Sequence, residues 1–470
     1  MPVFSDAVIE RLFGADDAEN EDEARFLSYF YVVGAYNSLM AALPIRIVVG
    51  HKGVGKSALL KRAFLSDKAS RKFSIWLQPG DLIDIKATAA QEKDFNIQIE
   101  TWKSGISKEI AERLAEYLYG PKATEIFEKQ KKGKTKEILK FISLCLGDRK
   151  EIDRINIYID DIDRGWSASR EDIRQISALL NAIRDISSPS NNANITFRIG
   201  LRSDVYFLVR TSDESTDKID SNVIWLRWTN DDIIRLMARR IETFFDNNYE
   251  GKIKLSQQQI TDTILSKVIE PIFSGSGHWE ARPMHNVLLS LTRARPRDLV
   301  KLLRGGAKKA QLANAEIITT EHLKDFFEAY SQERLQDITN EFRGELPEIQ
   351  RLIFEMRPLK KEHRTANSYQ FSTDQLISKL GDVMRHVPLR FTNGWSVTPK
   401  SLIQFLYKID FITARRETIE GIDRKYFEES RFLASEIVDF GYGWEIHPAY
   451  RWALQPQDIN AVLDSLFGKK

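Results

Sequence analysis

The chain has 470 residues, of which 42% are hydrophobic and 29% are charged. At ~150 residues per domain, this length predicts two to four domains with globular cores. The 69 Lys and Arg residues nearly balance the 67 Asp and Glu residues, so the net charge does not draw the whole protein to nucleic acid or to an anionic membrane. A single cysteine, Cys145, excludes an intrachain disulfide framework and a multi-cysteine metal site, which is typical of a cytoplasmic protein.

Residues 26–45 form the first apolar segment, which carries no charge over about the length that spans a bilayer. The segment contains Asn37 and Pro44 and runs directly into a strand pattern, so we expect no membrane contact. Asn20 and Glu23 have the spacing of a capping box, which predicts one helix that starts near them and ends before Pro44.

Residues 45–60, IRIVVGHKGVGKSALL, predict a buried strand, a glycine-rich turn and the start of a helix. They fit the pattern G-x-x-x-x-G-K-[ST], in which glycines let backbone amides surround phosphate oxygens, the lysine reaches the β and γ phosphates, and the hydroxyl ligates Mg²⁺. The pattern therefore predicts an ATP site with Mg²⁺ as cofactor, in which Lys56 is catalytic and Ser57 is a metal ligand. The candidate nucleotide-binding residues are Gly50, Lys52, Gly53, Val54, Gly55, Lys56, Ser57 and Ala58.

The segment after this motif predicts one strand and two helices. Residues 73–82 predict a strand that a turn at Pro79 and Gly80 closes. Residues 96–146 predict two helices, and the charged stretch 128–137 lies between them. That stretch has two interpretations, a contact with phosphate or acidic partners and a solvated helix connection, of which its composition favours the second.

Residues 155–166, INIYIDDIDRGW, predict a buried strand whose far end carries paired aspartates. Downstream of a phosphate-binding loop, this is the position of a Walker B element. We assign Asp160 to the Mg²⁺ shell and Asp161 to the orientation or deprotonation of the attacking water. The alternative is a polar turn that only ends a strand.

The next core strand is predicted at 195–201, after a helix at 169–186, and it presents Arg202 at its end. A polar residue there senses the γ-phosphate in many P-loop ATPases, although Arg202 is equally suited to an ordinary ion pair. Residues 222–228 predict a fifth strand, after which the pattern is wholly helical up to about residue 330. This alternation predicts a parallel sheet with helices on both faces.

The glycine motif, the strand ending DDIDR, the strand ending LRSD and the helical segment RARPRDL together resemble AAA+ and STAND-type P-loop ATPases, including the KAP-like group. FGADDAENEDEARFLSYF and GHKGVGKSAL are more similar still to a largely uncharacterised bacterial family of P-loop ATPases. The resemblance implies a five-stranded sheet of order 5-1-4-3-2, a helical lid, nucleotide near a subunit edge and a homo-oligomer. It also implies that Arg202 is the first sensor residue and Arg297 the second.

Two positions depart from the AAA+ pattern. The second Walker B acid is Asp161 instead of glutamate, as in STAND-type proteins. The second sensor position reads Arg295-Pro296-Arg297, so either arginine is a candidate to reach phosphate. Pro296 suits the first turn of a helix, which would place Arg297 at the N-terminus of that helix.

The last third of the chain predicts amphipathic helices at 371–384 and 398–412, followed by segments of strand and turn character. This order resembles a winged helix, a module that binds DNA, holds protein partners or inhibits an attached ATPase. Basic residues such as Lys400 and Arg415 are balanced by acids, so a protein partner and DNA both remain open.

We predict three domains: a P-loop ATPase core with an N-terminal helix and a helical insertion at 1–230, a helical lid at 231–335, and a helical linker with a winged-helix-like domain at 336–470. The predicted function is ATP binding with slow, assembly-linked hydrolysis, as in a STAND-type regulator of bacterial defence or stress. Two alternatives remain: a DNA-acting AAA+ ATPase that docks duplex through its winged helix, and a nucleotide-binding scaffold that does not hydrolyse ATP.

Overall fold

The computed structural model describes residues 4–14, 21–122, 133–148, 152–188, 194–212, 219–246, 254–274, 280–358, 368–418, 421–430, 433 and 441–454. The chain divides into two compact units, one of residues 15–232 and the other of residues 1–14 together with 233–470. Helix α1 (Asp6–Phe13), which we had grouped with the ATPase core, therefore packs with the C-terminal half of the chain.

The first unit is built on a five-stranded sheet in which all neighbouring strands are parallel, in the order β2-β3-β4-β1-β5. This is the order 5-1-4-3-2 read from the other edge, so the predicted parallel sheet is confirmed. Its strands are β1 (Ile45–Gly50), β2 (Ser74–Leu77), β3 (Ile155–Ile159), β4 (Ile195–Arg202) and β5 (Val223–Trp225).

Helices cover both faces of this sheet, as the alternating pattern predicted. They are α2 (Glu23–Tyr29), α3 (Gly34–Met40), α4 (Lys56–Ala69), α5 (Pro79–Ala90), α6 (Phe95–Tyr119), α7 (Thr135–Asp148), α8 (Arg170–Ile186) and α9 (Ser203–Ser212). Helices α3 and α4 pack on one face. Helices α6, α8 and α9 pack on the other face, where the larger hydrophobic core lies.

Residues 26–45 form two short helices, α2 and α3, instead of the single helix that we predicted. Asp22 caps α2 by accepting the backbone N–H of Arg25 at 3.0 Å. The break between the helices contains the β-branched Val32 and Val33, which have a low helix propensity. Within the described residues, no helix combines the length and the apolar composition that crossing a membrane requires.

The predicted turn at Pro79 and Gly80 is wrong, because these residues begin helix α5. Gln78 and Asp81 form a capping box, in which the Gln78 backbone N–H donates to the Asp81 carboxylate at 2.7 Å. Proline is favoured at the first helical position, where an N–H has no acceptor within the helix. Helices α5, α6 and α7 thus all lie between β2 and β3 in the chain.

The second unit is mainly helical. Its remaining helices are α10 (Asn230–Phe244), α11 (Gln257–Thr263), α12 (Met284–Leu291), α13 (Pro296–Leu312), α14 (Thr320–Phe342), α15 (Ile349–Glu355), α16 (Thr373–His386) and α17 (Pro399–Lys408). A pair of short antiparallel strands, β6 (Ile272–Ser274) and β7 (Glu280–Pro283), interrupts the segment in which we predicted only helices.

The C-terminal part of this unit contains a four-stranded antiparallel sheet of order β10-β9-β11-β8. Its strands are β8 (Gln370–Phe371), β9 (Ile412–Thr418), β10 (Gly421–Lys425) and β11 (Gly443–Ile446). One hydrophobic core extends from the second half of α14 through α15, α16 and α17 to this sheet. The predicted succession of two amphipathic helices and then strands is present.

A buried ionic network joins α13, α14 and the C-terminal residues of the second unit. The Asp298 carboxylate, in the first turn of α13, accepts hydrogen bonds from Arg293 at 2.8 and 2.9 Å and from Arg334 at 2.9 Å. Arg293 also donates to the Tyr450 hydroxyl at 2.9 Å. Burial alone would raise the pKa of Asp298, but the charges and hydrogen bonds of the arginines hold that pKa well below its ordinary value.

Replacing Asp298 by asparagine should destabilise the second unit by about 3–5 kcal/mol, because the buried Arg293 guanidinium loses its anionic partner and the buried Arg334 guanidinium keeps only the more exposed carboxylates of Asp337 and Glu333. Denaturant unfolding measures the loss. Asp325→Asn, at an exposed acid on the same helix as Arg334, is the matched control and should change stability by about 0.5 kcal/mol or less. Equal midpoints for the two variants would contradict a stabilising role of the network.

Candidate functional site

The glycine-rich turn between β1 and α4 has the backbone of an anion-binding loop. Gly53 and Gly55 have positive φ values of 82° and 99°, which side-chain-bearing residues rarely adopt. The Leu59 backbone N–H donates to the Gly55 carbonyl at 2.9 Å, so α4 starts immediately after the turn. Successive backbone amides of such a turn, together with the helix N-terminus, make a concavity suited to phosphate oxygens.

Contacts behind this loop fix its shape. A Cβ atom on Gly50 would lie 2.8 Å from the Val54 side chain and 3.2 Å from the Leu226 carbonyl, so only glycine fits there. The Trp228 indole N–H donates to the Val54 carbonyl at 2.7 Å. The segment that follows β5 therefore supports the turn from outside, a contact that no sequence pattern indicated.

Lys56 is hydrogen-bonded to the backbone of the turn. Its ammonium donates to the carbonyls of Gly50 at 2.9 Å and His51 at 3.1 Å. Ser57 follows in the first turn of α4 and is half-buried. The structure thus brings together the loop residues that the glycine motif singled out.

Asp160 directly follows β3, and its carboxylate lies beside β4. The neighbouring residue on β4 is Gly200, where an added Cβ would come within 2.5 Å of the Asp160 Oδ1 atom. Asp160 is 5% exposed, and its Oδ2 atom has no hydrogen-bond partner among the described residues. Because buried carboxylate oxygens normally accept hydrogen bonds, the lack of a partner for this atom suggests that it binds a cation or a hydrogen-bond donor of a ligand. Gly200 interrupts the apolar pattern of β4, and a glycine within a strand indicates that another group approaches the backbone closely.

Asp161 and Asp163 extend the acidic cluster. Asp161 has a positive φ of 54°, an uncommon conformation that clusters at functional sites. Burial and the adjacent charge of Asp160 raise the pKa of Asp161, while Lys52 and Lys56 act in the opposite direction. Burial raises the pKa of Asp163 to about 6.

Arg202 ends β4 opposite Gly50 in the strand register. Its guanidinium forms a two-point contact with Asp204, at 3.0 and 2.7 Å, and lies 3.5 Å from the Asp163 carboxylate. Arg202 therefore forms the ordinary ion pair that the sequence analysis gave as its alternative role. This pairing holds Arg202 between two acids at the carboxyl edge of the sheet, and neither acid was assigned a role from the sequence.

The two candidates for the second sensor residue have different environments. Arg295 is buried, and its guanidinium donates to the Asp410 carboxylate at 2.7 Å within the second unit. Arg297 lies in the first turn of α13 and is half-buried. Arg295 is thus committed to a structural ion pair, which favours Arg297. Because Arg297 belongs to the second unit, its contact with nucleotide stays a prediction.

Comparisons with known proteins show similarity over parts of the chain. Residues 233–339 match a family described as the FunZ-associated C-terminal helical domain, and this match starts at the boundary between the two compact units. A putative transposon gamma-delta 80.3 kDa protein of Escherichia coli strain K12 is 22% identical over 337 residues, which are 67% of this chain and 43% of that protein. The chain therefore spans less than half the length of this curated relative.

Two solved structures of the Aeropyrum pernix ORC2 protein align with the chain at 12% identity. The alignment with the structure of the ADPNP-ADP complexes has a TM-score of 0.41 and covers 90% of this chain and 89% of the ORC2 chain. The ADP form has a TM-score of 0.35 and covers 98% and 99%. Neither score identifies a shared fold.

The raised pKa of Asp163 makes a prediction about pH. Since the unfolded chain has an aspartate pKa of about 4, the folded protein takes up a proton at Asp163 between about pH 6 and 4 that the unfolded chain does not. The stability contribution of this group is fully present below about pH 4 and is lost as the pH rises through 6. The charges of Arg202, Lys56, Asp204 and Asp161 face the group and are unchanged in an Asp163→Asn variant.

We therefore expect Asp163→Asn to be less stable relative to the parent at pH 4.5 than at pH 7. Thermal unfolding at the two pH values measures the difference. Asp84→Asn, at an exposed acid on α5, should show no such dependence. A constant difference for Asp163→Asn across this range would mean that its carboxyl group titrates normally.

Proposed function

We propose that this chain is an ATP-binding P-loop ATPase of the AAA+ type that uses slow hydrolysis as a switch. The observation that carries the proposal is the glycine turn at the end of β1, which lies at the same sheet edge as Asp160, Asp161 and Arg202. In parallel sheets, ligands bind outside the carboxyl ends of the strands.

The loop residues of this chain bind and orient the triphosphate. Backbone amides of the turn and of the first turn of α4 donate to phosphate oxygens. Lys56 needs only to exchange its loop carbonyls for phosphate oxygens, a move of a flexible side chain around a fixed turn. A charge-assisted contact of this kind is worth about 1.5–3 kcal/mol.

The residues present fit a magnesium ion. Ser57 and Asp160 would hold it, because a hydroxyl and a buried carboxylate oxygen without a partner are hard oxygen ligands. When bound, Mg²⁺ neutralises charge on the phosphate oxygens. Asp161 is half-buried with a raised pKa, which suits it to accept a proton from the attacking water or to orient that water.

Arg202 would sense the γ-phosphate from the end of β4. Its two acid partners fix the guanidinium in one orientation, so a new negative charge competes with Asp163 and Asp204 for it. Movement of Arg202 would then change the pairing between the segments that follow β3 and β4. This gives a STAND-type regulator a way to register nucleotide state, in a bacterial defence or stress role.

We also propose a homo-oligomer in which an arginine of one subunit completes the neighbour's site. Arg184 and Arg210 are the candidates. Arg210 is paired with Asp220 at 2.5 Å, and Arg184 lies 3.8 Å from Asp185. An arginine finger would have to leave such a partner for the neighbour's phosphate, which ties hydrolysis to assembly.

Residues 336–470 are proposed to be a helical linker with a winged-helix-like domain that binds a protein partner or DNA. A DNA-acting ATPase is the second candidate function, because the curated relative is named as a putative transposon protein. A salt-dependent mobility shift with DNA separates this function from a protein-directed switch. A non-hydrolysing nucleotide-binding scaffold is the third, and a phosphate-release assay separates it from both ATPases.

Lys56→Ala should lower the affinity for ATP by about 10- to 100-fold while the fold is retained, because it removes the charge aimed at the β and γ phosphates. Equilibrium binding of a fluorescent ATP analogue measures this. Lys68→Ala, at an exposed lysine of the same helix, is the control and should bind like the parent. An unchanged affinity of Lys56→Ala for the ATP analogue would contradict the assignment of the nucleotide site.

The two Walker B aspartates should separate by function. Asp161→Asn is expected to bind Mg·ATP like the parent and to hydrolyse it about 10²- to 10⁴-fold more slowly, because it removes the group that acts on water. Asp160→Asn is expected to weaken the Mg²⁺-dependent part of ATP binding. Nucleotide titrations with and without Mg²⁺, together with phosphate release, distinguish the variants. If both lose the same property, the division of roles is wrong.

A further inference from the structure

The segment between Asp382 and Asp410 has an unusual composition, because its 27 residues, 383–409, include no acid. It contains the end of α16, the turn 387–398 and the whole of α17. Its cations are Arg385, Arg390, Lys400 and Lys408, and it also contains His386. This is a local basic stretch in a chain whose total charge is nearly balanced.

The turn 387–398 is held in place by hydrogen bonds. Thr392 donates its backbone N–H to the Glu345 carbonyl at 2.9 Å and its hydroxyl to the Gly344 carbonyl at 2.6 Å. The Trp395 backbone N–H donates to the Asn393 side chain at 2.9 Å, and Gly394 has a positive φ of 81°. The turn is therefore a defined structure anchored to residues 344–345.

Trp395 lies within this turn and is 57% exposed. Its neighbour Phe391 packs on Phe405 in the core, with ring centroids 5.6 Å apart, whereas Trp395 makes no aromatic contact within the described residues. Burying an indole would contribute more than burying any other side chain of the turn. A rigid turn that leaves it in solvent presents a flat aromatic surface to a partner.

Exposed cations lie in the turn or close to it in the sequence. Arg390 and Lys400 flank Trp395 in sequence, and Arg343 lies next to the residues that anchor the turn. Within the part of the chain that the structure describes, none of these three side chains takes part in an ion pair. Of the acids nearby, Glu345 is buried and paired with Lys408, and Glu348 accepts the Arg390 backbone N–H at 3.3 Å.

Helix α17 itself offers little surface for insertion into a DNA groove. Lys400 is its only exposed residue, and its buried residues are Leu402, Ile403, Phe405, Leu406 and Tyr407. A helix that reads a major groove must expose several side chains along one face. The accessible surface is therefore the turn before the helix.

We propose that the turn 387–398 is a binding surface for single-stranded nucleic acid, with Trp395 as a stacking platform for an unpaired base and with Arg390, Lys400 and Arg343 as phosphate contacts. An aromatic side chain flanked by unpaired cations has the chemistry of single-strand recognition, in which a base face stacks on the ring and the backbone follows the positive charges. This surface lies in the second unit and does not depend on the nucleotide site proposed above.

The test uses the full-length protein and a labelled oligo(dT) of ~20 nucleotides, with a duplex of equal length as the second probe. Trp395→Ala should weaken oligo(dT) binding by about 5- to 100-fold, and Trp395→Phe should retain most of the affinity because it keeps a stacking face. Arg390→Ala should lower the slope of log affinity against log salt by about 0.7. Leu312→Ala, at an exposed residue of the same unit, is the control.

Two results would contradict the proposal. Duplex that binds as tightly as oligo(dT), with the same loss in Trp395→Ala, would rule out stacking on an unpaired base. Oligo(dT) binding that is absent, or equal in the parent and Trp395→Ala, would rule out a nucleic-acid surface here. If Trp395→Ala then changed the oligomeric state of the protein in solution, the turn would be a contact between two copies of this chain. Lys56→Ala should bind oligo(dT) like the parent, so failure of the nucleotide site is distinguished from failure of this surface.

Discussion

The carboxyl ends of β1, β3 and β4 meet at one edge of the parallel sheet, and the candidate chemistry of the first unit depends on this constraint. The strand register places Arg202 opposite Gly50, although the two are far apart in the chain. Gly200 makes room for the acid beside it, since a Cβ there would come within 2.5 Å of the Asp160 carboxylate. Three short segments thereby supply a candidate phosphate-binding turn, a carboxylate and a guanidinium at the same edge of the sheet.

Two buried aspartates show how the same residue type has different roles in the two units. Asp298 accepts three hydrogen bonds from the guanidinium groups of two arginines, which overcome the cost of burial and keep the carboxylate charged. Asp163 shares one arginine with Asp204 at a longer distance, so burial prevails and its pKa rises. The first arrangement stabilises a fold, whereas the second leaves a charge poorly satisfied at a sheet edge, where perturbed groups accompany function.

The second unit places its aromatic residues in two environments. Phe391, Phe405 and Tyr407 fill the core that joins the C-terminal helices to the antiparallel sheet. Trp395 stays in solvent on a turn whose backbone is fixed by Thr392 and Gly394. Because the apolar residues of α17 are buried in the core, the turn that precedes this helix is the part of the region that can contact a partner.

The resemblance to P-loop ATPases implied the sheet order, whereas the sequence by itself determined the strand–helix alternation, the glycine turn and the paired aspartates. These follow from local patterns: apolar runs specify buried strands, and the motif spacing sets the turn and the helix start. Its errors were also local, at Pro79, where a helix start was taken for a turn, and at 30–33, where β-branched residues divide a helix. Only the tertiary structure decided that Arg202 lies between Asp163 and Asp204, that Arg295 is buried against Asp410 and that Trp395 is exposed. Those outcomes depend on which distant residues share a strand edge or a core, and no spacing along the chain encodes that proximity.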